Sequence, residues 1–279
     1  MMQLIRIELY KIFRRPRTYI SFAIIAAIAL LIELAMYADG ETFIGFVTQN
    51  ATEGFTLGGK LINGYLITFI ILQMLLVHIP LLVALVAADA VAGEASLGTL
   101  RLLLSKPISR SQLILSKYAA SIIYSLALLL WLALIGLASS LFLFGPGDLI
   151  NLKSDTVIIL LANDVLWRYC AAFAFAALAM TTVSALALLL SVLADNAIGP
   201  IIGTMGIIIV LTIITNLDLP VFNAIKPALL TSHLLAWKGF FSEPVPARAI
   251  AHSCLILTAY AGGFTGLAII LFKRKDIQS

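Results

Sequence analysis

The chain has 279 residues, of which 62% are hydrophobic and 11% are charged, and its net charge is +4. Soluble domains contain roughly 45–50% apolar residues, so this composition excludes a water-soluble globular protein. The small positive balance indicates membrane topology and gives no case for nucleic-acid binding.

Six apolar segments are long enough to cross a membrane. A spanning helix needs about 20 mostly apolar residues, because each residue adds about 1.5 Å toward a hydrocarbon core of about 30 Å. Only residues 195–197 separate the fourth segment from the fifth, so one very long span is the alternative there. The sequence therefore predicts an all-α polytopic membrane protein with one transmembrane domain over residues 1–279. In chain order, the six predicted transmembrane helices are 18–38, 64–88, 118–144, 165–194, 198–217 and 249–272.

The distribution of Lys and Arg predicts how these helices face. With six spans, the side that holds both termini and residues 89–117 carries twelve Lys and Arg, and the other side carries six. Cytoplasmic loops retain positive charge. We therefore expect a multi-pass protein of a bacterial-type inner membrane, with its N- and C-termini in the cytoplasm.

Residues 1–17 have the pattern of an amphipathic N-terminal helix. Its apolar face is formed by Ile5, Leu9, Ile12 and Phe13, and basic residues surround the rest of the helix. Such a helix is expected to lie along the inner leaflet of the lipid bilayer. An ordinary charged flank of the first span is the alternative.

The cytoplasmic segment 89–117 is more patterned than a linker. Gly98 and Thr99 open a short amphipathic stretch with Leu97, Leu100 and Leu104 on one face. Pro107 disfavours helix in the residue before it, and a second helix start is predicted at Ser109. A short helix with one apolar face is suited to burial in the groove of a partner protein.

These residues resemble the signature of type-2 ABC transporter permeases. The resemblance extends to Glu8, to the basic run 14–17, to the six-span plan and to the basic tail. It implies that residues of about 97–105 form a coupling helix, which sits in a groove of a separate ATPase subunit and transmits its closure, and it favours export. The residues that carry the signature are Asp89, Gly93, Glu94, Gly98, Thr99, Leu100, Pro107, Ile108, Ser109, Arg110 and Lys117. The implied ATPase-coupling residues are Asp89, Glu94, Leu97, Gly98, Thr99, Leu100, Arg101, Pro107 and Arg110.

No ATPase is predicted within the chain itself. Gly54, Gly59 and Lys60 have the spacing of a phosphate-binding loop, but Leu61 stands where Ser or Thr must hold magnesium. No catalytic, cofactor-binding or metal-binding residue is expected. The resemblance implies that ATP and Mg are bound by two copies of a partner ATPase subunit. It also implies a second copy of this permease or a related one, and a periplasmic or accessory protein is a further candidate partner.

Two ionisable residues inside predicted spans are candidates for the translocation path, because such residues are costly in a membrane. Glu33 has two interpretations: its side chain extends to the outer headgroups, which we favour, or it faces the path. His78 lies two residues before Pro80, which is expected to kink the span and free a carbonyl for it. For His78 we favour a purely structural contact over a place in the path.

The loop 218–248 is long and apolar, which predicts short helices embedded in the outer interface. Near the outer entry of the fourth span, Asp164 and Arg168 have the spacing of a helix ion pair. Two other classes compete with the permease: a secondary transporter or channel, and a membrane-embedded enzyme. The first requires paired carboxylates or broken helices, and the second requires a converging catalytic set.

Overall fold

The structure, a computed structural model, describes residues 1–49, 62–105, 107–153, 156–217 and 219–275. The phosphate-loop spacing at residues 54–60 lies outside these ranges. Twelve α-helices occur in the described ranges, and a π-helical turn, Ala133–Ala138, joins α7 to α8. The helices are α1 Met2–Phe13, α2 Pro16–Gln49, α3 Gly64–Met74, α4 His78–Ala87, α5 Asp89–Ser96, α6 Thr99–Leu104, α7 Arg110–Leu132, α8 Ser139–Phe144, α9 Ala162–Leu193, α10 Ile198–Asn216, α11 Leu230–Leu234 and α12 Ala247–Arg274.

The expectation of a helical membrane protein is confirmed. Five helical stretches are long and apolar enough to cross a membrane, and a bent pair of shorter helices meets the same test when its two parts are taken together. The five stretches are Pro16–Gly40, Arg110–Phe144, Ala162–Leu193, Ile198–Asn216 and Ala247–Arg274. The break at residues 194–197 is present, so the alternative of one very long span is wrong.

The bent pair is α3 and α4, which meet at 53°. Sequence reasoning predicted one helix over 64–88, with a kink at Pro80. The helix instead breaks at residues 75–77, before the proline, and resumes at His78. Because a proline lacks the backbone N–H, the helix cannot bond normally across this region, and the first turn of α4 is where a proline is tolerated.

A two-stranded antiparallel hairpin departs from the all-α prediction. Strand β1 covers Leu149–Lys153 and strand β2 covers Thr156–Leu160. The strands pair in register from Leu149 opposite Leu160 to Lys153 opposite Thr156. Leu149 and Leu160 are buried against the helices, so this pair secures the base of the hairpin on the core.

Short helical turns fill the segment between α10 and α12. They are Pro220–Phe222, Lys226–Ala228, the helix α11 and Leu235–Phe241. Trp237 and Phe241 from the last turn are buried and pack against Phe69 of α3. These aromatic side chains therefore fix the segment to the helix bundle.

Contacts between distant parts of the chain define two ends of the bundle. At the hairpin end, Asn63 Nδ2 donates to the carbonyl of Asp148 and Asn151 Nδ2 donates to the carbonyl of Phe241. At the N-terminal end, the start of α7 lies beside α1, α5 and the end of α12. The helices α7 and α9 consequently run in opposite directions between the two ends.

Candidate functional site: a buried charge ring beside an exposed turn

Four side chains at the N-terminal end form a closed ring of alternating charge. Lys11 Nζ lies 2.7 Å from Glu8 Oε1 and 2.7 Å from Glu94 Oε1. Lys117 Nζ lies 3.0 Å from Glu8 Oε2 and 2.7 Å from Glu94 Oε2. Each lysine thus contacts both glutamates, and the two positive charges balance the two negative ones. We call Glu8, Lys11, Glu94 and Lys117 the charge ring.

The ring joins three separate elements of the chain. Helix α1 supplies Glu8 and Lys11 from adjacent turns of one face, helix α5 supplies Glu94, and helix α7 supplies Lys117. The side chain of Lys117 is 0% exposed, and both glutamates are also buried. A buried charge needs a partner of opposite sign, so each element depends on the others to keep its charge paired.

A second ion contact lies one turn earlier on α5. The guanidinium groups of Arg15 and Arg17 both donate to Oδ2 of Asp89. The carboxylate of Asp89 folds over Gly93, where any added β-carbon would lie 2.3 Å from Asp89 Oδ1. Because that separation is far below van der Waals contact, a side chain at position 93 would displace the Asp89 carboxylate from this position.

The ion contacts shift two pKa values outside the membrane-spanning segments. Burial alone would raise the pKa of Glu94, but Lys117 and Lys11 outweigh burial and lower it below the usual range. Burial alone would lower the pKa of Lys11, but the hydrogen bonds that it donates to Glu8 and Glu94 raise it above its ordinary value. Glu94 and Lys11 therefore stay ionised over a wider range of pH than the same side chains do in water.

Helix α5 is also fixed to helix α9 by a serine. The hydroxyl of Ser191 accepts from the backbone N–H groups of Val91, at 3.0 Å, and Ala92, at 2.9 Å. These two groups lie in the first turn of α5, where a helix has no carbonyl of its own to accept from them. With the charge ring on one side and Ser191 on the other, α5 is held in one position.

Residues 96–99, which we call the exposed turn, connect α5 to α6. All four residues are exposed, and Leu97 has 68% of its surface accessible. Gly98 has a φ of +69°, a backbone conformation that favours glycine. The turn therefore presents a leucine side chain outward from a helix that is anchored on both sides.

The remaining apolar residues of this region do not all face outward. Leu100 is 2% exposed and packs with Leu113, Val192 and Phe272 in a small core of its own. The prediction that Leu97, Leu100 and Leu104 form one face for a partner is therefore wrong for Leu100. Leu100 therefore belongs to the chain's own core. The side chains of Arg101 and Leu104 lie outside the described part of the chain.

On the opposite side of this region, Arg110 connects the start of α7 to the end of α12. Its Nη1 donates to the carbonyls of Phe272 at 3.0 Å, Lys273 at 3.1 Å and Lys275 at 2.8 Å. These carbonyls lie at the C-terminal end of α12, where a positive charge is favourable. Pro107 is exposed in the turn before α7, and the hydroxyl of Ser109 caps that helix by accepting from Gln112 N–H at 3.2 Å.

The two predicted translocation residues lie apart from this site and from each other. Glu33 is 1% exposed, and its Oε1 accepts from Ser139 at 2.6 Å and Ser140 at 2.7 Å. The favoured expectation that Glu33 extends to the outer headgroups is therefore wrong, because the serines of α8 receive it inside the bundle. His78 is exposed, and its Nδ1 lies 2.9 Å from the carbonyl of Met74, the last residue of α3.

Sequence reasoning selected Asp89 and Glu94 but missed the partners that receive them. Glu8 appeared in it only as part of a family resemblance. Lys11, Arg15, Arg17 and Lys117 were counted as cytoplasmic positive charges, and none of them was paired with an acid. The available signal was Glu8, a carboxylate beside the predicted apolar face of that helix, because a buried acid requires a cation from another element. At the hairpin end, the pair Asp164 and Arg168 is confirmed at 2.5 Å.

Together, the apolar helices and the polar ends define a multi-pass helical membrane protein. Within the described ranges, no group of three or more His, Cys, Asp or Glu side chains could hold a metal ion. The family described as "Protein of unknown function (DUF2705)" matches residues 23–278, so the chain belongs to this family.

The chain is also similar to a curated protein of Bacillus subtilis (strain 168), the "Uncharacterized protein YhcI". The two are 40% identical over 63 residues, which is 23% of this chain and 20% of that protein. The similarity thus spans about a fifth of the relative's length.

Proposed function

We propose that the chain is the permease subunit of an ATP-driven ABC transporter, with the exposed turn as its contact to a separate ATPase subunit. The observation that carries the proposal is Leu97, an apolar side chain 68% exposed at the tip of a segment whose base is held by buried ion pairs. An isolated exposed leucine is ordinary. Leu97, however, lies on a turn that is anchored at its base and flanked by polar residues, in a segment that resembles a coupling helix. An exposed leucine in this position is suited to a groove of a partner protein.

The charge ring gives this contact a mechanical consequence. Glu94 lies within one helical turn of the exposed turn, so a displacement of that turn also displaces Glu94. From Glu94 the movement is transmitted to α7 through Lys117 and to α1 through Lys11. Asp89 passes the same movement to the start of α2 through Arg17. Helix α5 and the exposed turn therefore move together with the helices α1, α2 and α7, and not independently of them.

The topology in this proposal has six spans, in which α3 and α4 together count as one. The helices α2, α7 and α10 then lead away from the N-terminal end, and α4, α9 and α12 return to it. The twelve Lys and Arg on that side favour a cytoplasmic N-terminal end. The hairpin and the short turns before α12 then lie on the outer side.

The path for cargo is proposed to form between two copies of the chain or between this chain and a related one. An apolar cavity beside the bend of α3 and α4, lined by Leu75, Pro80, Met180 and Trp237 among others, encloses about 80 Å³. This is less than the roughly 150 Å³ of a cavity that holds one benzene molecule, so it leaves little room for cargo inside one copy.

The binding test compares two leucines with similar exposure at opposite ends of the bundle. Leu97→Asp places a charge on the exposed turn, and Leu161→Asp places the same charge on a leucine that is 62% exposed beside the hairpin. The tagged full-length chain is purified in mild detergent with ATP, and the ATP-binding polypeptide that accompanies it is quantified. We expect Leu97→Asp to lose this subunit and Leu161→Asp to retain it.

Equal retention in both variants would refute the assignment of the exposed turn. A wild-type preparation that hydrolyses ATP with no second polypeptide would refute the proposal of a separate motor.

A secondary transporter is the second candidate, because the break between α3 and α4 is of the kind found at transporter binding sites. A transporter of that class would move cargo in vesicles with an ion gradient and without ATP. Cargo movement in vesicles that contain this chain alone would favour that class over the ABC permease.

A further inference from the structure

An open cleft of about 420 Å³ lies between the start of α2 and helix α5. Its walls are formed by Arg15, Pro16 and Arg17 on one side and by Asp89, Gly93, Ser96 and Leu97 on the other. In the proposed contact with an ATPase, Arg17 only passes movement to α2 and Arg15 has no part, so a ligand bound by the two arginines in this cleft is a role beyond that contact.

The charges around this cleft do not cancel. The charge ring is neutral by itself, which leaves Asp89 to balance both Arg15 and Arg17, so one positive charge is in excess. Each guanidinium has five N–H donors, and a single oxygen, Asp89 Oδ2, accepts from both groups. Because the side chains of Arg15 and Arg17 are 33% and 29% exposed, donors are left over for an anion with several oxygens.

The cleft lies where the polar and apolar parts of the chain meet. Pro16 begins α2, whose stretch Pro16–Gly40 is apolar enough to cross a membrane. Arg17 is followed at helical spacing by Ile20, Ile24 and Leu31, all of them exposed. An apolar stripe therefore leads from the arginines along the outer surface of the helix.

We propose that Arg15 and Arg17 bind the phosphate group of an anionic phospholipid in this cleft, with an acyl chain lying along the exposed stripe of α2. Arginine pairs well with phosphate because its planar donors match two oxygens at once. The stripe favours a lipid over a free phosphate ion, because only a lipid has an acyl chain that can contact these apolar side chains.

The test titrates the purified full-length chain in neutral detergent with phosphatidylglycerol and measures bound lipid by native mass spectrometry. Arg15→Gln/Arg17→Gln is expected to weaken the apparent affinity about tenfold, because charge-assisted hydrogen bonds to the phosphate are lost. Arg6→Gln/Arg14→Gln is the matched control. It removes the same charge from exposed positions near the same end of the chain and is expected to leave the affinity unchanged.

A third variant is expected to change the lipid affinity in the opposite direction, and it leaves both arginines in place. Asp89→Asn removes the carboxylate that competes with the phosphate, so we expect phosphatidylglycerol to bind several-fold more tightly. A purely structural role for these three residues predicts weaker binding instead, and that result would overturn the proposal.

Three further results would also overturn it. Equal loss of affinity in Arg6→Gln/Arg14→Gln would show a diffuse attraction to the whole basic segment. Displacement of the lipid by inorganic phosphate at equal concentration would assign the cleft to a free ion. Phosphatidylcholine binding as tightly as phosphatidylglycerol would show that the net negative charge of the lipid does not contribute to binding.

Discussion

Replacement of Lys117 by methionine is expected to destabilise the protein by about 3–5 kcal/mol. The side chain is 0% exposed and contacts both Glu8 and Glu94. Methionine fills a similar volume but leaves two buried carboxylates with only Lys11 between them. Removal of one member of a buried ion network costs this much because the remaining charge is left uncompensated, whatever the net contribution of the intact network.

The measurement is the free energy of unfolding from titration with a denaturing detergent, followed by circular dichroism. Lys11→Met is the matched control. It removes the same charge from the same ring, but the side chain of Lys11 is 33% exposed, so water can replace part of its contact and the expected loss is smaller. Combination of Lys117→Met with Glu94→Gln is expected to recover part of the loss, because it removes the unpaired charge.

The pH dependence of stability gives an independent check of the ring. Because the pKa of Glu94 is lowered on folding, its contribution is present above the unfolded value and is lost as the pH falls through the folded one. Because the pKa of Lys11 is raised, its contribution is present below the unfolded value and is lost as the pH rises through the folded one. A plateau is therefore expected between about pH 5 and pH 9. A loss below 1 kcal/mol for Lys117→Met on that plateau would refute the reasoning.

Substitutions at three other positions test separate parts of the structure. Gly93→Ala is expected to cost about 1–3 kcal/mol, because the added methyl group displaces Asp89 from its arginines; an unchanged midpoint of thermal unfolding would contradict this. Arg110→Gln is expected to speed hydrogen exchange at the end of α12 at least several-fold, since three carbonyls lose their donor, while exchange in α9 stays the same. Glu33→Ala is expected to cost about 1–3 kcal/mol, and Glu33→Gln less, because an amide oxygen still accepts from the two serines; equal stability of the two variants would exclude that hydrogen-bonding role.

Local signals in the sequence predicted local features of the fold well. The apolar runs indicated the long helices, the polar residues at 195–197 indicated the break between α9 and α10, and Ser109 was correctly taken as a helix start. Each of these features depends on residues within one or two turns of each other. The hairpin at 149–160 was missed because its short strands lie in a segment interpreted as a loop.

The charge ring could not be predicted in the same way. Lys11 and Glu94 are 83 positions apart, and Lys117 and Glu8 are 109 apart. No periodic pattern connects such residues, and a lysine near a predicted membrane edge is ordinarily interpreted as a topology signal. The inward position of Leu100 was missed for a related reason, because an apolar face gives no information about whether its own chain or a partner covers it.

Cross-linking from the exposed turn tests the central proposal most directly. Leu97→Cys is introduced after Cys170 and Cys254 are replaced by serine, and cells that contain the full-length chain are treated with a short thiol-directed cross-linker. We expect a covalent adduct with a separate ATP-binding polypeptide, and none from Leu161→Cys at the hairpin end. An equal yield from both positions, or no adduct from Leu97→Cys, would contradict the assignment of this chain as the permease of an ATP-driven transporter coupled through residues 96–99.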